Sequence, residues 1–178
     1  ELGDTFRQLG KFPQALLMLI AFLIYNDGIG TIIRMATAYG SEIGIGDADL
    51  IAAIMITQFV GIPCAFLFGA LAGKIGAKRA IFLGLMAYVV ISVLGYRMQT
   101  ARDFLILALL VGVVQGGTQA LSRSLFASLI PKQRSAEFFG FFAVVEKFAG
   151  IFGPWIFARA IGATGSSRAA ILAVVGFF

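Results

Sequence analysis

The sequence predicts an all-α membrane protein, a six-span helical bundle in which residues 1–178 form one transmembrane half-domain. Hydrophobic residues make up 60% of the chain and charged residues 13%, well below the roughly 25% charged residues of water-soluble domains. The mean hydropathy is +0.95, and the apolar residues are collected into runs long enough to cross about 30 Å of hydrocarbon. These runs leave little chain for a soluble enzyme domain.

Each predicted span is an apolar run that ends at charged residues or glycine. The spans are predicted at about residues 12–33, 50–71, 80–96, 104–125, 138–160 and 169–178. The last run is still apolar at Phe178, where at 1.5 Å per residue it has crossed only about half of the hydrocarbon. We therefore expect an incomplete sixth span in a fragment of a longer protein.

Basic residues are distributed unevenly when alternate loops are assigned to opposite sides of the membrane. The richer side carries Arg7, Lys11, Lys74, Lys78, Arg79, Arg123, Lys132 and Arg134. The other side carries Arg34, Arg97, Arg102, Arg159 and Arg168. The richer side is expected to be cytoplasmic, which places the amino terminus of the chain inside. Because the basic residues form no stripe with interleaved aromatics, the lipid bilayer is an expected partner and nucleic acid is not.

Polar side chains occur at one depth in four of the predicted spans. They are Asn26, Asp27, Gln58, Gln115, Gln119, Glu146 and Lys147. A charge near the bilayer centre costs about 2.5–3.5 kcal/mol even on the lenient insertion scale, so such residues should face a cavity or a partner. We expect one cavity lined by spans one, two, four and five, with spans three and six peripheral. The glutamines have an alternative role as hydrogen-bonding links between helices.

The charged residues within the spans suggest one specific pairing. Glu146 and Lys147 are adjacent on a helix and point about 100° apart, so they cannot share one neighbour. The hypothesis is that Lys147 meets Asp27 across the bundle, with a static buried ion pair as the alternative. Arg34 and Arg123 lie close to span ends and are predicted to be interfacial anchors.

Small residues recur at four-residue spacing in the second and fourth spans, and the fifth span has Gly150 and Gly153, which together predict close helix packing. The helix-packing candidates are Gly61, Ala65, Gly69, Gly73, Gly112, Gly116, Gly150 and Gly153. The chain has one cysteine, Cys64, and no histidine, so no disulfide can form within it, and we predict neither a metal site nor a cofactor. If the bundle couples transport to protons, the carboxylates within the spans, Asp27 and Glu146, are the candidate groups; sodium held by Asn26, Asp27 and Thr31 is a weaker alternative.

The link between the second and third spans reads GALAGKIGAKRAIFLG and resembles the loop signature of the major facilitator superfamily. The matching residues are Gly69, Leu71, Ala72, Gly76, Lys78 and Arg79. Gly73 stands where that signature has aspartate. Together with YNDGIGTIIRMATAYG, QFVGIPCAFLFG, VQGGTQALSRSLFASLIPK and AEFFGFFAVVEKFAGIFGP, the link makes the chain similar to the carboxyl-terminal half of a branch containing bacterial uncharacterised facilitators and autophagy-related vacuolar amino-acid effluxers.

The resemblance implies one half of a twelve-span secondary transporter in a bacterial cytoplasmic membrane. The missing amino-terminal half would supply six more spans, and a small-molecule substrate, with amino acids as one class, would lie between the halves. Alternating access would then export or import the solute.

Two other functions are alternatives to one half of a secondary transporter. A channel or scaffold subunit made of this half alone would self-associate, and homodimerisation is expected if the half is isolated. The segment DGIGTIIRMATAYGSEIGIGDAD superficially resembles intramembrane phosphotransferases that act on CDP-linked lipids. Its later aspartates, Asp47 and Asp49, are two residues apart where that pattern has four, so an enzyme is not expected.

Overall fold

A computed structural model of the chain describes residues 9–178, so the predicted cytoplasmic residue Arg7 lies outside the described part. The described residues form α-helices and short 3-10 turns without a strand. The α-helices are α1 (Pro13–Glu42), α2 (Asp47–Ile75), α3 (Ala77–Arg97), α4 (Ala101–Leu129), α5 (Ser135–Phe148), α6 (Phe152–Thr164) and α7 (Ser167–Ala173). The 3-10 turns are Lys132–Arg134 and Val174–Phe177.

Within residues 9–178, five stretches are long and apolar enough to cross a membrane, so the chain is an integral membrane protein. They are Pro13–Glu42, Asp47–Ile75, Ala77–Arg97, Ala101–Leu129 and Lys132–Thr164. The first helix continues past the expected end of its apolar run near Ile33 as far as Glu42. The all-α membrane fold predicted from the sequence is confirmed.

The most extensive contact in the bundle is between α2 and α4, and its glycines let the two backbones touch. A Cβ atom on Gly112 would lie 2.9 Å from the carbonyl oxygen of Thr57, and one on Gly116 would overlap the carbonyl oxygen of Gly61. Further along α2, Gly69 and Gly73 have no neighbouring atom within 4 Å. The predicted small-residue stripe of α2 therefore contacts α4 along one part of its length.

The aromatic core lies between α1, α4 and α5. Phe22, Phe126 and Phe142 are almost fully buried, and the ring of Phe142 lies 4.4 Å from that of Phe22 and 5.0 Å from that of Phe126 between centroids. These rings hold the three helices that carry most of the predicted polar residues.

The fifth span is broken, contrary to the continuous run expected at about residues 138–160. Helix α5 ends at Phe148 and α6 begins at Phe152, with Gly150 at a φ of 111° between them, a conformation that favours glycine. Pro154 explains why the helix cannot simply continue: its ring would clash with the carbonyl of Gly150, four residues earlier, and it has no N–H to donate. In the first turn of α6 the same proline is well tolerated.

The loop-signature residues surround the tight junction between α2 and α3. Gly76 has a φ of 89°, and its N–H donates to the carbonyl of Ala72 at 2.8 Å. Lys78 and Arg79 are exposed at the start of α3. Gly73, at the aspartate position of the signature, faces open space.

Candidate functional site

A cavity of about 370 Å³ lies between α1, α4 and α5, and we call it the polar cavity. It is lined by Asn26, Ile29, Gly30, Ile33, Arg34, Gln119, Arg123, Glu146, Lys147 and Ala149. The structure therefore brings together four of the predicted cavity residues: Asn26, Gln119, Glu146 and Lys147. Cations outnumber carboxylates among the lining residues, which favours an electronegative group inside the cavity.

Arg123 and Glu146 form an ion pair from α4 to α5 at the wall of the polar cavity. Arg123 Nη2 donates to Glu146 Oε1 at 2.7 Å. Their side chains are 53% and 28% exposed, so solvent screens the pair, which is worth about 0–1 kcal/mol. Arg123 is thus a cavity residue rather than the interfacial anchor that its position near the span end suggested. A pair this weak can open at little cost.

The predicted pairing of Lys147 with Asp27 is wrong. Asp27 is 2% exposed and both of its carboxylate oxygens accept backbone hydrogen bonds. Lys147 is exposed on the polar cavity and has no ion-pair partner within residues 9–178. The error arose because similar depth in two spans does not bring two side chains to the same helix face.

Asp27 binds the break between α5 and α6. Its Oδ1 accepts from the N–H of Gly150 and its Oδ2 accepts from the N–H of Gly153 at 2.7 Å. The break creates these free donors, since the first N–H groups of a helix have no partner within it. A carboxylate is also favoured by the positive end of the α6 dipole. With both oxygens engaged, Asp27 offers little to a sodium ion, and residues 9–178 contain no cluster of three or more His, Cys, Asp or Glu that could hold a metal.

Arg34 binds the same break from its carbonyl side. Its Nη1 donates to the carbonyl oxygen of Gly150 at 3.0 Å, the carbonyl that Pro154 cannot serve in a continuous helix. The guanidinium also lines the polar cavity. Arg34 is therefore a structural partner of the break as well as a cavity residue, and not simply an anchor at the membrane edge.

Gln58 and Gln115 line a second cavity of about 140 Å³, which is mostly apolar. Gln115 Oε1 is buried and has no hydrogen-bond partner within residues 9–178. Ile33 lines both cavities and lies between them. The expectation of one cavity for all seven polar residues is therefore wrong: the polar cavity takes four, the apolar cavity takes Gln58 and Gln115, and Asp27 lies buried at the helix break.

No described residue of the third or sixth span lines the polar cavity, as expected from their low polarity, but both spans line the apolar cavity, which was not expected. Ser92 on α3 and Ile171 on α7 line the apolar cavity, and Tyr88 on α3 is fully buried. Arg168 fastens the sixth span by donating to the Tyr39 hydroxyl at 3.0 Å and to the Met98 carbonyl at 3.2 Å. Apolar residues carry no periodic mark of which neighbour they face, so composition alone could not reveal this.

Sequence reasoning missed a buried link between α1 and α4. The hydroxyls of Tyr25 and Ser122 lie 2.5 Å apart, and Ser122 also donates to the carbonyl of Thr118 at 2.5 Å. A signal was present, because Tyr25 shares a helix face with the buried Phe22 and Ile29, three and four residues away. Ser122 therefore acts as a link between the two helices.

An apolar bundle with charged and amide side chains around an open cavity between its spans is typical of membrane transport proteins. The chain matches the family described as "Vacuole effluxer Atg22 like" over residues 1–178 and belongs to that family. The predicted branch of the major facilitator superfamily is confirmed.

Curated relatives include a bacterial protein and several fungal ones. The chain is 42% identical over 178 residues to "Uncharacterized MFS-type transporter YxiO" of Bacillus subtilis (strain 168), covering 100% of this chain and 42% of that relative. It is 29% identical over 157 residues to "Autophagy-related protein 22-2" of Aspergillus clavatus, covering 79% of this chain and 26% of that relative. With "Autophagy-related protein 22" of Candida glabrata the identity is 26% over 167 residues, or 87% and 31% of the two lengths.

The chain spans less than half the length of each of these three relatives. The family match places the chain among transport proteins rather than enzymes. The alternative function as a lipid phosphotransferase is therefore not supported.

Proposed function

We propose that the chain is the carboxyl-terminal half of a twelve-span secondary transporter and that the polar cavity is its half of the solute path. The observation that carries the proposal is the gathering of Asn26, Gln119, Arg123, Glu146 and Lys147 around one cavity inside apolar spans. Such residues are costly in lipid and are kept at transport pathways. The 42% coverage of the Bacillus relative leaves room for an amino-terminal half.

The proposed location is a bacterial cytoplasmic membrane with the amino terminus of the chain inside. Supporting it, the ends of α2 and α4 that carry Lys74 and Lys132 lie on the same side as Lys11, because successive spans alternate in direction. Clustered basic residues of this kind favour the cytoplasmic face.

The proposed solute is a small zwitterion such as an amino acid. Arg34 and Lys147 offer donors to a carboxylate, and Glu146 offers an acceptor to an ammonium group, all on the polar cavity. Charge-assisted hydrogen bonds of this kind are the stronger ones and depend on direction. Resemblance to vacuolar amino-acid effluxers supports the same class of solute.

Proton coupling is proposed to act through Glu146 rather than Asp27. Glu146 faces the polar cavity and its sole ion-pair partner within residues 9–178 is Arg123, so a proton on Glu146 would release Arg123 for solute. Asp27 is enclosed by backbone donors. Its carboxylate therefore has no comparable partner to release.

The test uses full-length protein reconstituted in liposomes, with labelled amino acids. We expect saturable counterflow, and uphill flux when a pH gradient is imposed. Glu146→Gln should abolish uphill flux, because Gln cannot change charge. Counterflow should persist with a raised KM, because the Gln carbonyl oxygen still accepts from the ammonium group but without the negative charge. Glu137→Gln, at an exposed acid in the first turn of α5, is the matched control.

Two outcomes would overturn parts of the proposal. Uphill flux that is unchanged in Glu146→Gln removes Glu146 as the coupling group. Flux that neither saturates nor counter-exchanges indicates a channel instead of a transporter.

The isolated chain is proposed to self-associate, because Arg123 and Lys147 on the polar cavity are exposed without an opposing half. Light scattering in detergent should give a dimer for residues 1–178 and a monomer for full-length protein. A monomeric fragment would contradict the homodimer.

A further inference from the structure

We propose that Asp27 and Arg34 are positioning residues that fasten the break in the fifth span to α1, so that α1 and α6 move as one body while α5 moves against them. The structural part of this proposal stands on the contacts alone. Its consequence for the transport rate rests on the proposed function.

The amide side of the break is closed by one carboxylate. Asp27 accepts from both Gly150 and Gly153, and it is 2% exposed. In the hydrocarbon region water does not replace a lost partner, so each of these donors depends on the side chain of α1. A single residue of α1 therefore holds the start of α6.

The carbonyl side of the break is closed from the same helix. Arg34 lies seven residues after Asp27 on α1, which is two helical turns and hence the same face. It donates to the carbonyl of Gly150 at 3.0 Å. The N–H of Gly150 thus donates to Asp27 and its carbonyl accepts from Arg34, both on α1.

The surrounding packing is consistent with these hydrogen bonds and leaves no room for a side chain at Gly150 or Gly153. A Cβ on Gly153 would overlap Thr31 Oγ1, and one on Gly150 would overlap the Arg34 guanidinium. Thr31 Oγ1 is itself directed to the carbonyl of Asp27 at 2.7 Å. The two glycines let α6 approach α1 closely enough for the hydrogen bonds to form.

Helix α5 is held to α1 in a different way. Its ring contacts are between Phe142 and Phe22 of α1, 4.4 Å apart, and between Phe138 and Phe12, just before α1, 6.0 Å apart between centroids. Within residues 9–178 no side-chain hydrogen bond joins α1 to α5. Hydrogen bonds weaken steeply with distance and angle, so we expect α5 to shift on α1 more readily than α6 does. The charged residues that line the polar cavity from the fifth span, Glu146 and Lys147, lie on the α5 side of the break.

The first experiment measures distances between spin labels in cysteine-free full-length protein in nanodiscs. One label pair is at residues 38 and 158, exposed positions on α1 and α6, and the other at residues 38 and 143, on α1 and α5. We expect a narrow distribution for the first pair and a broad one for the second. Asp27→Asn should broaden the first pair towards the width of the second, because an amide has one acceptor oxygen where the carboxylate has two.

Matched controls distinguish loss of the hydrogen bonds between α1 and the break from a general loss of structure. Asp47→Asn makes the same chemical change in the first turn of α2, away from the break, and should leave both distributions as in the parent. Arg34→Gln replaces the guanidinium that donates to the Gly150 carbonyl with a shorter side chain. It should also broaden the first pair, so it serves if Asp27→Asn does not fold. First-pair widths that are unchanged in both Asp27→Asn and Arg34→Gln would overturn the proposal.

The second experiment measures transport kinetics of the same variants in liposomes. Asp27→Asn is expected to lower kcat by at least about tenfold with little change in KM, because the polar-cavity side chains that would contact solute are intact. A raised KM with unchanged kcat would instead make Asp27 a solute ligand and overturn its positioning role. If the full-length protein transports nothing, the proposed function fails. The distance measurement still decides whether Asp27 and Arg34 fasten the break to α1.

Discussion

The α2–α4 contact and the α1–α6 contact both depend on glycine, yet they are held by different forces. At the first, Gly116 lets the backbone of α4 touch the backbone of α2 at Gly61. At the second, Gly153 brings α6 against Thr31, and Asp27 then accepts hydrogen bonds from the break. The first contact is mainly steric, with one neutral hydrogen bond from Thr57 Oγ1 to the Ala108 carbonyl at 3.1 Å, and the second is held by a buried carboxylate.

Helix continuity accounts for the difference. Both α2 and α4 run unbroken, so their backbone groups are satisfied within each helix except where Pro63 has no N–H to donate. Close packing therefore dominates this contact, and the hydrogen bond from Thr57 Oγ1 to the Ala108 carbonyl adds to it. The fifth span is interrupted, and its free N–H and C=O groups need partners from elsewhere. Glycine thus allows close helix approach at both contacts, and a charged residue forms part of the contact only where the helix is interrupted.

The largest effect is expected from removing the carboxylate at the break. Asp27→Ala leaves the N–H groups of Gly150 and Gly153 without partners, at about 1–3 kcal/mol for each buried donor. Thermal unfolding of full-length protein in detergent should show a clear fall in Tm, and Asp47→Ala should show almost none. Equal Tm values for the two variants would mean that the polar contact contributes no more than a surface acid.

The next effect tests the steric contact. Gly116→Ala places a methyl group against the Gly61 carbonyl, and overpacking of this kind costs about 1–3 kcal/mol. Gly69→Ala is the matched control on α2, since nothing lies within 4 Å of that site. It should be neutral or slightly stabilising because alanine favours helix. The same unfolding assay decides, and a harmless Gly116→Ala would contradict backbone contact at the α2–α4 interface.

A double-mutant cycle sharpens the comparison at the polar contact. Gly153→Ala should destabilise because the new Cβ overlaps Thr31 Oγ1, and Thr31→Ala should recover part of the loss by removing that oxygen. Neighbouring residues commonly couple by about 0.5–3 kcal/mol in such cycles. Additive changes in unfolding free energy would show that α6 and α1 do not meet at these residues.

The smallest effect is expected at the ion pair on the polar cavity. A cycle of Arg123→Met and Glu146→Gln should give a coupling of about 0–1 kcal/mol that weakens in high salt. The measurement is made on the isolated chain and on full-length protein. A much larger, salt-insensitive coupling in the full-length protein would show that the amino-terminal half buries the pair.

The sequence predicted the all-α fold and the membrane setting well and the site unevenly. Depth along a span follows from counting residues, so Glu146 and Gln119 were placed in a cavity from the sequence alone. Whether Lys147 meets Asp27 could not be decided in that way. Which face of a helix meets which neighbour depends on how all the helices rotate and cross. Gln58 and Gln115 show the same limit, since equal depth left them in a separate, apolar cavity.

Prolines show where the sequence signal was ambiguous. Pro63 lies inside the unbroken α2, whereas Pro154 follows a break, although each removes one backbone donor. What distinguishes them is Gly150, which adopts a positive φ, and the presence of Asp27 and Arg34 on a neighbouring helix. Gly150 and Pro154 lie next to the break in the sequence, but its stabilising partners lie more than a hundred residues away.

By itself, the sequence determined that this protein is a helical membrane bundle with charged residues at mid-depth, because length, hydropathy and the cost of burying charge in lipid are local properties. Only the tertiary structure decided what each charge does. Asp27 accepts hydrogen bonds from a helix break, Arg34 supports the same break, and Glu146 pairs with Arg123 beside the polar cavity. Those roles depend on direction and distance between helices, and hydrogen bonds form or fail over less than an ångström.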